Sequence, residues 1–182
     1  MAGNAMEVRI IGFRGVADDP RYQNEPALIK VGHVGISLDG GHTIYGFHPT
    51  PEALASFPSP EAAYAHLRAR NDLSGGVYDD TAIFWRAMQL AQSGARTTVW
   101  QQRIPVSAAE HARIAQELQH LVMAGGTLGA RYRFPDKSGV AMPAGANNCA
   151  TWPRELGLPI PEPTGRLRHY IALLQAGEQS WP

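Results

Sequence analysis

The chain has 182 residues, 16 basic and 16 acidic, so its formal net charge at pH 7 is zero. That length suits one domain spanning residues 1–182 with a core of its own, and the charge balance argues against a nucleic-acid surface or a polybasic membrane anchor. No apolar run approaches the roughly 18 residues of a transmembrane helix.

The start, "MAGNAMEVRIIGF", lacks the basic stretch and long apolar run of a signal peptide. Synthesis in the cytoplasm is expected, with export by a route that cleaves no signal left open. The single cysteine, Cys149, allows no intramolecular disulfide and no cysteine-rich zinc site.

In chain order, "MEVRIIGFRG" predicts a strand, followed by a polar loop through Asp18, Asp19 and Pro20. "ALIKVGHVGISLD" and "HTIYGFHP" predict the two strands of a hairpin. Residues 49–76 are rich in proline and alanine and offer the best candidate for a lid or specificity insert. Within them, "SPEAAYAHLRAR" predicts a short helix capped by Ser59. "DDTAIFWRAMQLAQSG" predicts a helix with Asp80 near its start and Gly94 at its end.

"ARTTVWQQRI" alternates as a strand does. A helix beginning at Ser107 carries Glu110 three residues on, as a capping box requires. Its Ile114, Leu118, Leu121 and Val122 share one face, and Gly125 with Gly126 stops it. "GARYRF" predicts another strand and "TGRLRHYIALLQAG" a final helix. The fold class is α+β, an antiparallel sheet packed with helices.

The hairpin carries the first chemical signal. Asp39-Gly40-Gly41-His42 has the composition of a two-residue loop, because glycine takes positive φ at little cost. That loop sets His33 opposite His48. Strand alternation then puts His33, Gly35 and Ser37 on one side with Ile44, Gly46 and His48. Val34, Ile36, Leu38, Thr43, Tyr45 and Phe47 take the other, apolar side. The expectation is one face on a core and one open face lined by histidine, serine and glycine, with Gly35 and Ser37 in a cleft.

The remaining histidines, His42, His66, His111, His120 and His169, read as surface or structural groups. Two imidazoles can hold a metal, but no third ligand stands at a suitable spacing and no His-Glu-x-x-His motif is present. No metal or other cofactor is expected.

The second signal is "AGANNCATWPREL". Asn147 or Asn148 suits a helix N-cap, which would put Cys149 in a first turn whose amides and dipole favour a thiolate. Pro153 disturbs such a helix, so either it begins near Trp152 or its first turn is irregular. A small buried hydrophobe is the alternative role for Cys149. Trp152 is placed either in the cleft or in the core.

Together, "GHVGISLDGGHTIYGFHP" and "NNCATW" resemble the circularly permuted papain-like superfamily. That group includes permuted relatives of NlpC-type cell-wall peptidases and the lecithin:retinol acyltransferase family. The resemblance covers residues 32–49 and 147–156, a minority of the chain. It implies a permuted papain-like architecture in which Cys149 is the nucleophile and His33 the general base and acid. His48 would accept a hydrogen bond from His33 as third member.

Many relatives space the second histidine more closely, near Tyr45 here, but the strand pairing favours His48. The backbone amide of Cys149 would serve the oxyanion, with Asn147 and Asn148 as neighbours. The chemistry implied is acyl transfer through a thioester, foremost cleavage of an amide in a peptide or peptidoglycan stem. Compact relatives further imply a bacterial effector delivered by type VI secretion and met by an immunity protein. A lipid or thioester acyltransferase on the same residues and an inactive binding module are the competing functions.

Overall fold

The computed structural model describes residues 6–124, 127–134 and 145–159. It is mixed α+β, with seven strands in one sheet ordered β5-β1-β2-β3-β4-β6-β7. The strands are β1 (Met6–Arg14), β2 (Gly32–Ser37), β3 (Tyr45–Pro49), β4 (Leu73–Asp79), β5 (Val99–Val106), β6 (Thr127–Tyr132) and β7 (Ala146–Asn147). The α-helices are α1 (Ala27–Val31), α2 (Pro51–Ala55), α3 (Pro60–Arg68), α4 (Thr81–Gln92) and α5 (Ala108–Met123). The described chain forms two compact units. The final helix expected over residues 164–177, and the stop at Gly125 and Gly126, lie outside the described residues.

The first unit holds residues 6–46 and Asp79–Ala115. Its central strand, β1, pairs antiparallel with β2, aligning Ile11 with Gly35 and Phe13 with His33. On its other edge it pairs with β5, aligning Gly12 with Trp100. Alternation sends Ile11 and Phe13 to one face, where they pack with Ile29, Ile44, Phe84, Ala87 and Leu90. Val8, Ile10, Val34, Ile36, Trp100 and Ile104 are also buried, so both faces of this part of the sheet are covered. The open polar face expected for the hairpin is therefore a closed one. Phe84 of α4 comes down on it, a contact that no pattern within the hairpin encodes.

The hairpin register is as the loop chemistry predicts, with Gly35 opposite Gly46 and Ile36 opposite Tyr45. Its loop is longer, because the strands stop at Ser37 and resume at Tyr45. Side chains close it. Ser37 Oγ accepts the Gly41 amide at 2.8 Å, and Asp39 Oδ1 accepts the Thr43 amide at 2.9 Å. Gly40 and Gly41 have φ of 74° and 100°, the left-handed region that glycine enters cheaply.

The run "ALIKV", expected as strand, is the helical turn α1 instead. Gly32, at φ 88°, turns the chain from it into β2. Three of its five residues, Ala27, Leu28 and Lys30, are good helix formers, and Ile29 is buried.

The second unit holds Phe47–Tyr78 and the described residues from 116 onward. Thr50 and Ser59 cap α2 and α3 through the amides of Ala53 and Ala62, so much of residues 49–76 is helical. β4, which the sequence reading missed, pairs antiparallel with β6. β6 then runs parallel to β7, with Tyr132 beside Asn147. The core here is aromatic, with the Phe47 ring 5.6 Å from Tyr132 and 6.4 Å from Trp152 between centroids.

Candidate active site

His33 sits mid-sheet with its side chain fully shielded from solvent. Its ring lies 5.6 Å from that of Phe84 and 6.5 Å from that of Phe13. Inside this apolar collar, Nε2 stands 2.8 Å from Asp80 Oδ2. A carboxylate only accepts, so an ionised Asp80 accepts the Nε2–H of His33. A hydrogen bond to a charged partner contributes about 1.5–3 kcal/mol when its geometry is sound.

Three local features set the pair in place. Asp80 is the N-cap position of α4, yet its side chain makes no cap bond. Asp79 takes that work, its Oδ1 accepting the amide and hydroxyl of Thr81 at 3.0 and 2.6 Å. The Asp80 amide donates to the Ile44 carbonyl at 2.8 Å, which pins the residue to the strand entry. Finally, Gly46 leaves space: a Cβ there would land on Asp80 Oδ2 and His33 Nε2, with His33 Cε1 at 3.1 Å.

The acceptor on His33 Nε2 is thus Asp80, a residue the sequence reading noted only at a helix start. Its signal was present in "YDDT": one helix needs one capping aspartate, and this one has two. His48 is half-buried and lies in the second unit, its ring stacked on Tyr78 at 4.5 Å between centroids. Its Nδ1 is 2.9 Å from the Pro49 carbonyl. Of the residues expected in a cleft, Gly35 is packed against Ile44, Tyr45 and Phe84. Ser37 is fully buried and occupied with the hairpin loop. Trp152 is core, fully buried beside Phe47.

Cys149 is a free, buried thiol in the second unit. Among the described residues no α-helix begins just before it, and of the two expected starts the later one, near Trp152, is the one found. A 3₁₀ helix, Trp152–Leu156, starts three residues later with Pro153 in its first turn, where a missing amide costs nothing. The helix-dipole activation expected for the thiol therefore goes with the missing α-helix.

What holds Cys149 is a turn tied by side chains. Asn148 Oδ1 accepts the amides of Ala150 and Thr151 at 2.9 and 3.1 Å. Thr151 Oγ1 accepts the Asn148 amide at 2.9 Å and donates to Asn147 Oδ1 at 3.1 Å. Asn147 Nδ2 turns outward to Glu155.

Tyr132 is the second residue that the sequence did not single out. Burial pushes its phenol well above the usual range, and the neighbouring Cys149 thiol adds to the effect. A measurable consequence follows for stability. Above the ordinary phenol value near 10, the unfolded chain loses this proton while the native protein keeps it, so stability falls as pH rises. The slope should exceed that of Tyr132→Phe by about 1 kcal/mol per pH unit in urea titrations between about pH 10 and 11. Parallel curves for the two proteins would contradict the burial of this hydroxyl.

Comparison with protein-family models, curated proteins and solved structures finds no match for the chain. Among the described residues, no helix is long and apolar enough to cross a membrane, and no group of three His, Cys, Asp or Glu could hold a metal ion.

Proposed function

We propose that this chain is a cysteine-dependent amide hydrolase of the permuted papain-like type, acting on a peptide or peptidoglycan stem. The observation that carries the reading is the buried His33–Asp80 bond, with Gly46 shaped around it. A carboxylate enclosed with one imidazole nitrogen is costly as mere structure. It is well suited to fixing a general base in one tautomer and steadying the imidazolium that forms. Asp80 takes the positioning role that the resemblance gave to His48.

In the reaction so proposed, His33 is the base for the Cys149 thiol, and Sγ adds to the amide carbonyl carbon. The tetrahedral intermediate collapses with cleavage of the C–N bond, and His33 returns the proton to the leaving amine. Water, deprotonated by His33, then adds to the thioester; Cys149 leaves as thiol and a carboxylate product is released.

Turnover of purified peptidoglycan and of short peptide amides tests this directly. Cys149→Ala and His33→Ala should each lower the rate by about 10³-fold or more while far-UV circular dichroism stays unchanged. Wild-type turnover in either variant removes that residue from the mechanism.

A further inference from the structure

Resting on this hydrolase reading, we propose that the side-chain amide of Asn148 is the oxyanion donor of the site. Asn148 is 1 % exposed, and its two side-chain atoms have different fates. Oδ1 accepts two backbone amides, those of Ala150 and Thr151, and this fixes which end of the amide is oxygen. Nδ2 is consequently a donor held in one direction. Among the described residues it is buried with no hydrogen-bond partner.

A buried amide without an acceptor costs about 1–3 kcal/mol. The turn itself needs only Oδ1, so the cap does not account for Nδ2. An acceptor present only during reaction does. The side chain folds over the two residues that follow Cys149, which sets Nδ2 on the turn that presents the thiol. The Asn148 amide is thus a buried donor held in one direction on the turn that carries Cys149. A donor fixed in advance and waiting for charge to develop is the arrangement that stabilises a tetrahedral oxyanion.

The test uses N-acetylglycinal, a small aldehyde whose adduct mimics the intermediate. Cys149 Sγ bonds to the aldehyde carbon as the carbonyl π bond breaks, the thiol proton goes to the base of the site, and the oxygen is left negatively charged. Asn148→Asp keeps both acceptor bonds and deletes the donor. Asn148→Ser keeps a capping oxygen and stays neutral, which separates loss of the donor from added charge.

In both variants the adduct should weaken by about 10²-fold or more. In Asn148→Ser, alkylation of Cys149 by iodoacetamide, which develops no oxyanion, should stay within about twofold of wild type, whereas the new carboxylate of Asn148→Asp disfavours the thiolate and slows it. A serine variant with a wild-type adduct overturns the proposal, and so does an equal loss of alkylation and adduct in that variant, which would mark a structural role. Absence of any wild-type adduct, with alkylation still dependent on His33, also overturns it while leaving the thiol–imidazole pair standing. Alkylation indifferent to His33 overturns the hydrolase reading itself.

Discussion

Gly46→Ala is expected to destabilise the protein by about 2–5 kcal/mol, because overpacking and a broken buried hydrogen bond act together. The added methyl would overlap both His33 Nε2 and Asp80 Oδ2. Neither side chain can step aside cheaply, since the ring is flanked by Phe13 and Phe84 and Asp80 is tied at its backbone to Ile44. The pair must separate, leaving polar atoms in an apolar surround. Urea denaturation measures the cost. Made on an Asp80→Ala background, where the carboxylate is gone, the same change should cost at least about 1 kcal/mol less, as coupled neighbours do. A loss within about 0.5 kcal/mol of zero, the range of an ordinary surface change, would contradict the close approach.

Asp80→Ala is the second large effect. It leaves the Nε2 proton buried without its acceptor, which costs about 1–3 kcal/mol. It also frees the ring to take the other tautomer, so turnover should fall by about 10²–10⁴-fold, as when an orienting carboxylate is removed from a triad. Asp80→Asn should fall between this variant and wild type, because an amide oxygen still accepts the Nε2 proton when it faces the ring. Steady-state turnover of the three proteins, with circular dichroism as a check on folding, decides it. Full activity in the alanine variant would remove Asp80 from the positioning role.

Much of the scaffold is legible in the sequence, for local reasons. The helices α3, α4 and α5 each carry a periodic apolar face; Ser59 and Ser107 cap α3 and α5 at the amides of Ala62 and Glu110. In α5 the expected face holds, with Ile114 and Leu118 buried and Leu121 and Val122 half-buried. The hairpin register follows from its glycine pair.

What escaped was set by contacts distant in sequence. β4 reads "LSGGVYD", with glycines where alternation should show. One of them, Gly75, is there because the Phe47 ring lies against its α-carbon. The coverage of the His33 face comes from α4, and Tyr132 meets Cys149 because β6 runs beside β7. Asp80 was readable only by asking why one helix start has two aspartates.

The most direct measurement is the rate of Cys149 alkylation by iodoacetamide near neutral pH, in wild type and in His33→Ala. It needs no substrate and reads the thiol alone. If the imidazole takes the thiol proton, alkylation falls by about tenfold or more when His33 is removed, because only the thiolate reacts. Equal rates in the two proteins would contradict a working pair of Cys149 and His33.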